Sequence, residues 1–157
     1  MIFLLPGVFM NLKNILTEDC VCQLQATSKE PAILELVDLV AKTGRIQNIK
    51  ELKECLFYRE RLMSTGIGLG IGIPHVRLEG VGEPVVALGV QRQGISDYES
   101  IDGQEVKIVI LIVVEKTRHK DHIQLLSLFM ESLREETTRK ALLSASSLEE
   151  IYELIVK

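Results

Sequence analysis

His75 follows Pro74 at the end of the stretch STGIGLGIGIPHVR, Ser64 to Arg77, in which glycine stands at positions 66, 68, 70 and 72. Neutral imidazole is a nucleophile near neutral pH. Pro74 fixes its own φ and biases Ile73 toward extended backbone, so a histidine placed next is held in a set direction. His122 heads an apolar helical stripe continued by Leu125, Leu126, Phe129, Met130 and Leu133. Its ring therefore points inward from a first helical turn, where unpaired backbone N–H groups favour an anion. Arg59 continues the stripe of Leu52, Cys55 and Leu56 near a helix C-terminus, where a guanidinium either snorkels to solvent or pairs with an anion. Taken singly, each has a plain structural reading: a polar strand-end residue, a satisfied core histidine, a snorkelling arginine. If the three converge, they frame a phosphate-sized site with a nucleophilic nitrogen and positive charge around it. The chemistry that fits is phosphoryl transfer through histidine.

Competing chemistries are poorly supplied. A zinc site from His75, His119 and His122 lacks carboxylate ligands at helical spacing, Asp121 alone being insufficient. His119, within KTRHKD, reads as a solvated loop residue. Cys20-x-Cys22 is half of a metal motif without a second pair. Ser64 has no nucleophile-elbow motif around it. No glycine starts a G-x-G-x-x-G, and the Gly-Lys-Ser/Thr of a phosphate-binding loop is absent, so no nucleotide cofactor is expected.

The elements that must position these residues read as follows. Ser28 caps a first helix that carries Ile33, Leu36, Val37, Val40 and Ala41 inward and stops at Gly44. Asn48, with Glu51 three residues on, opens a second. The glycine-alternating segment reads as a strand, bare on one face and lined by Ile67, Leu69, Ile71 and Ile73 on the other. A bare face marks close approach by a ligand, a backbone or a packed helix. Pro84–Gln91 and Val106–Val114 read as further strands, the last apolar on both faces and hence central. A helix from about Asp121 carries His122, a short one spans about Thr138 to Leu143, and a Ser146-x-x-Glu149 capping box opens the last. Helices, strands and helices in one chain predict an α/β single-domain sandwich, a mixed β-sheet flanked by α-helices.

The chain has 157 residues, 46% hydrophobic and 25% charged, with a formal charge of −4. That suits one globular domain with a real core and argues against a nucleic-acid partner. Three cysteines, one on an apolar stripe, suit reduced thiols in a cytoplasmic protein. MIFLLPGVFM is too short for a membrane span, contains Pro6 and lacks a basic leader, so no membrane insertion is expected. Residues 1–10 read as an N-terminal extension, or Met10 as an alternative start, before a domain over 11–157.

Arg59 to Arg77, RERLMSTGIGLGIGIPHVR, resembles the Arg-Glu, Ser-Thr-Gly-Ile-Gly and Ile-Pro-His signature of the enzyme IIA components of the phosphoenolpyruvate-dependent phosphotransferase system, in the mannitol, fructose and nitrogen-regulatory class. IDGQEVKIVILIVV and HIQLLSLFMESL are similar to its Asp-Gly turn with a buried strand and its second-histidine helix. The resemblance implies a mannitol/fructose-type IIA sandwich. It also implies that His75 accepts a phosphoryl group from an HPr-type phosphocarrier, that His122 steadies it and that Arg59 offsets its charge, with no metal or nucleotide. Thr65, Gly66, Gly68, Gly70, Gly72 and Pro74 supply the supporting backbone, the bare glycine face admitting the second-histidine helix or the carrier. Two departures stand out: glycine at position 72, where the family commonly has alanine, and Glu115-Lys116, where it often has proline. With no transporter or IIB domain in the chain, the expectation is a free-standing subunit. The segment from Leu12 looks most like the nitrogen-regulatory branch, whose partners are regulatory target proteins. A sugar-specific EIIA passing phosphate to an EIIB is the alternative, and a phosphorylation-independent binding module is the alternative of another class.

Overall fold

Seven successive aliphatic residues, Ile108 to Val114, cannot all find cover on a half-exposed strand, and in the computed structural model, which describes residues 10–157, they form the spine of one sheet. The apolar opening before Met10 lies outside the described residues. A short α1 (Leu12–Ile15) and a 3-10 turn lead into β1 (Val21–Gln23). There follow α2 (Lys29–Lys42), α3 (Ile49–Leu62), β2 (Gly66–Gly68), β3 (Ile71–Gly72) and β4 (His75–Leu78). The chain then builds β5 (Val85–Ile95), β6 (Val106–Glu115), α4 (His119–Leu133), α5 (Glu136–Ser144) and α6 (Leu148–Val156).

The sheet runs β1-β5-β6-β3-β2, with β4 also on β6. β1 is parallel to β5, β5 is antiparallel to β6, and β3 and β4 are both parallel to β6. The sheet is therefore mixed and flanked by helices, as the element order implies. α2 packs on β5 and β6 and α3 on β4, while α4, α5 and α6 pack on one another and on β6, β5 and β1. From Ile108 to Val114 β6 is at most 1% exposed, so the core straddles this strand.

Four local readings are corrected. The glycine segment is not one strand: it doubles back as an antiparallel hairpin, Gly66 opposite Gly72, turning at Leu69-Gly70. Gly68 and Gly70 take φ of 98° and 77° at that turn, values that side chains resist. His75 consequently begins a strand instead of leaving one. α4 starts at His119, two residues before the expected point, so His119 belongs to a helix and not to a loop. The last helix is capped by Ser147, whose side chain accepts the Glu150 N–H, while Ser146 donates its hydroxyl to the Glu150 carboxylate. The capping pair sits one residue later than the Ser146/Glu149 spacing suggests.

The Glu115 departure has a structural reason. Its carboxylate accepts the backbone N–H groups of Gly80 at 3.2 Å and Gly82 at 2.9 Å, tying the β4–β5 turn to the end of β6. Those bonds hold its pKa below the ordinary carboxylate value.

Candidate functional site

Side chains two apart on a strand share a face, so β4 presents His75 and Arg77 together. α4 brings His122, the fourth residue of the helix, over the same face. The two imidazoles stack with centroids 4.2 Å apart and planes inclined by 27°. α3 supplies Arg59 from its last turn. His75, His122, Arg59, Arg77, the exposed His119 and Ile123 line one open cleft of about 390 Å³. The expected trio thus converges. A larger groove of about 620 Å³ beside α3, lined by Glu30, Lys53, Tyr58 and Arg61 among others, contains no histidine.

The atoms of His75 have assigned roles. Its Nδ1 lies 2.8 Å from the Ile73 carbonyl oxygen, which can only accept, so Nδ1 carries the proton and Nε2 keeps its lone pair. Pro74 intervenes between the two; it has no N–H to donate, and its carbonyl accepts the Ile112 N–H at 3.0 Å, which fixes this point against β6. β3 and β4 pair with β6 in one continuous register, Ile71 opposite Ile108 and His75 opposite Ile112, so they are one strand interrupted at Ile73-Pro74.

Burial lowers the pKa of His75, and the charges of Arg59 and Arg77 lower it further, against the opposing Ile73 hydrogen bond and Glu60 charge. His122 is lowered from 6.5 to about 4, first by desolvation and then by His75, Arg77 and Arg59. Both rings are therefore neutral at pH 7. Between 6.5 and about 4 the unfolded His122 binds a proton that the folded one refuses, so stability is fully present above pH 6.5 and falls as the pH drops across that window. In acid titrations followed by circular dichroism, His122→Gln is expected to flatten this fall; an unchanged slope would locate the acid sensitivity elsewhere.

The bare glycine face admits neither α4 nor a partner; the loop before β6 fills it. A Cβ at Gly66 would lie 2.2 Å from the Glu99 carbonyl oxygen, and one at Gly72 would lie 2.6 Å from the Tyr98 ring. A buried tyrosine against position 72 explains why alanine, common there in the family, is absent here. The Asp102 carboxylate accepts the N–H groups of Leu69 and Gln104, and the Ser100 hydroxyl accepts that of Gly68, clasping the hairpin tip. Thr65, Gly66, Gly68, Gly70, Gly72 and Pro74 thus act as a hairpin and its exit.

Two groups of polar residues escaped the sequence reading. Arg77 was detectable from its period-2 spacing to His75 on one strand face. On α3 the fully inward residues are Leu52, Leu56 and Glu60, with Arg59 half-buried beside them, so the buried charge on this stripe is Glu60. It meets Lys29 of α2 and Thr65 just past its own helix, and Thr65 in turn meets Tyr98 from the β5–β6 loop, a grouping that no helical or strand period records.

Among the described residues no group of three or more His, Cys, Asp or Glu is placed to hold a metal. None of the described helices is long and apolar enough to cross a membrane. Residues 14–157 match the family described as "Phosphoenolpyruvate-dependent sugar phosphotransferase system, EIIA 2". The chain is 33% identical over 149 residues to a nitrogen regulatory protein of Klebsiella oxytoca, covering 94% of this chain and 91% of that one. It is 35% identical over 147 residues to a fructose-specific EIIABC component of Bacillus subtilis, covering 93% of this chain and spanning only 23% of that protein. The crystal structure of nitrogen regulatory protein IIA-Ntr from Neisseria meningitidis superposes with a TM-score of 0.83 at 27% identity, over 92% of this chain and 98% of that one.

Proposed function

The chain belongs to the phosphoenolpyruvate-dependent sugar phosphotransferase system EIIA 2 family, and from that premise we propose that His75 is its phosphoryl acceptor, charged by an HPr-type phosphocarrier. The observation that carries the reading is the His75 ring itself: Nδ1–H is engaged by Ile73, so Nε2 is the free nucleophile, on a ring stacked with His122 in a cleft that Arg59 and Arg77 also line. In the step, the Nε2 lone pair attacks phosphorus and the P–N bond to the carrier imidazole breaks. The departing imidazole keeps that electron pair, while the His75 proton stays on Nδ1, donated in a hydrogen bond to the Ile73 carbonyl.

Arg59 and Arg77 offset the charge on the transferring oxygens. His122 Nε2 is buried with no hydrogen-bond partner, and a phosphoryl oxygen on His75 gives it one. Low pKa values keep both rings neutral, so neither needs to lose a proton before transfer. Arg77 is exposed and Arg59 half-buried, so screening weakens Arg77 more. Arg77→Met is expected to slow transfer about tenfold and Arg59→Met more; equal rates for wild type and Arg77→Met would remove Arg77 from the site.

The regulatory, nitrogen-type branch is the reading we favour, with targets that are proteins sensing the phosphorylation state of this chain. Likeness to the solved IIA-Ntr over nearly the whole of both chains supports it. The alternative is a fructose- or mannitol-type subunit that hands its phosphoryl group to a cysteine of an EIIB. Intact-mass analysis after incubation with phosphoenolpyruvate, enzyme I and an HPr-type carrier tests the acceptor role through gain of one acid-labile phosphoryl group in wild type and none in His75→Gln. Subsequent mixing with a fructose-type EIIB separates the branches: rapid discharge indicates sugar transport, and retention indicates regulation. No labelling with competent donors would instead favour a binding module that works without phosphorylation.

A further inference from the structure

Behind the cleft a run of polar contacts leads from a buried ion pair to the imidazole. Lys29 Nζ lies 2.8 Å from Glu60 Oε1 and 4.6 Å from the centroid of the Tyr98 ring. Glu60, Thr65 and Tyr98 are 7%, 4% and 3% exposed. The Thr65 hydroxyl oxygen is 2.6 Å from Glu60 Oε2 and also 2.6 Å from the Tyr98 hydroxyl. A carboxylate paired with Lys29 only accepts, so Thr65 donates to Glu60 and Tyr98 must donate to Thr65. Burial and the Glu60 charge raise the Tyr98 pKa well above its ordinary value, which keeps that phenol protonated.

The same residue continues toward the site through its backbone. Thr65 N–H donates to Glu60 Oε1 at 3.3 Å, and the Thr65 carbonyl accepts Ile73 N–H at 3.0 Å. The Ile73 carbonyl then accepts the His75 Nδ1 proton at 2.8 Å. Every polar atom along this route has a partner whose donor or acceptor role is fixed. A buried ion pair adds little stability over a well-packed apolar equivalent, but it specifies one geometry. Fixing the Ile73 carbonyl is the geometric gain here.

We propose that Lys29, Glu60, Thr65 and Tyr98 are positioning residues for His75: they lock Thr65, which holds the Ile73 carbonyl where it keeps Nδ1 protonated and Nε2 directed into the cleft. This rests on the reading of His75 as the acceptor. Lys29, Glu60 and Tyr98 come from α2, α3 and the β5–β6 loop, so the arrangement forms only when all three segments have docked. None of the four touches the transferring group.

Imidazole ¹⁵N NMR reads the His75 tautomer with no phosphoryl donor present, and single-turnover transfer from an HPr-type carrier reads its consequence. Thr65→Val keeps the shape and removes the hydroxyl, Thr65→Ser restores it, and Tyr98→Phe removes only the donor to Thr65. Wild type and Thr65→Ser are expected to hold the Nδ1–H form alone. Thr65→Val and Tyr98→Phe are expected to show a measurable Nε2–H fraction and transfer slowed about 10- to 100-fold at unchanged KM for the carrier. A sole Nδ1–H tautomer in both variants, with transfer within about twofold of wild type, would overturn the proposal. Should Thr65→Val not fold, Tyr98→Phe carries the same test. A tautomer that responds in a protein that takes no label would uphold the network and reject the acceptor role.

Discussion

His75→Gln is expected to take up no phosphoryl group, a loss of at least about four orders of magnitude in transfer rate. Removing the nucleophile leaves no second nitrogen in its place. His122 stacks beside it but is helix-borne, its Nε2 buried and without the carbonyl anchor that orients His75. His119, exposed at the first turn of α4, lacks any such positioning. Glutamine is close in size and polar, and His75 is half-buried, so the fold should persist and the effect can be assigned to chemistry. Intact mass after exposure to phosphoenolpyruvate, enzyme I and an HPr-type carrier gives the result directly. His119→Ala should label as wild type does, whereas His122→Gln should label more slowly and release the group sooner. Label retained in His75→Gln would move the acceptor to another residue and sink the assignment.

Gly66→Ala is expected to destabilise the protein by about 3 kcal/mol or more, the upper end for overpacking. The added Cβ would meet only backbone: the Glu99 carbonyl oxygen at 2.2 Å, the Ser100 Cα at 2.9 Å and the Glu99 carbonyl carbon at 3.0 Å. Backbone cannot rotate aside. The Gly66 carbonyl also accepts the Ile101 N–H at 3.2 Å, so a shift that relieves the collision breaks a bond. Gly82→Ala is the control, since nothing lies within 4 Å of its Cβ and only a φ of 72° opposes it, a cost of about 1 kcal/mol. Urea midpoints at unchanged m-value compare the two. Equal midpoints would mean that the loop after β5 yields easily and does not brace the hairpin.

Long apolar stretches were legible because burial on both faces or one helical stripe leaves a periodic record. That is why β6, β5, α2 and α3 fall close to where the sequence puts them. His75, His122 and Arg59 were also legible, because a polar residue on an inward stripe contradicts its surroundings. The glycine hairpin was not. Alternating glycine and isoleucine satisfies the period of a strand whether or not it turns, and the turn is decided by Asp102 and Ser100, over thirty positions away along the chain. Glu60 was hidden for a related reason: its burial is tolerable only because Lys29 and Thr65 meet its carboxylate, and Lys29, like the Tyr98 that holds Thr65, is brought there only by the folded chain. The one-residue slip at Ser147 arose because Ser146 and Ser147 stand together, each with a glutamate three residues on.

The shared register of β3 and β4 along β6 sets a rule of length. Ile71 and His75 keep the same offset to their partners across the Ile73-Pro74 interruption, so the break is in phase with the pleat. Adding or deleting one residue there would exchange odd and even positions through β4, carrying the imidazole to the opposite side of the sheet and Val76 into its place. A change of two residues would restore the parity. A substitution between the hairpin and His75 leaves this phase intact, whereas insertions and deletions must come in pairs, and the spacing from Gly72 to His75 is quantised by the sheet itself.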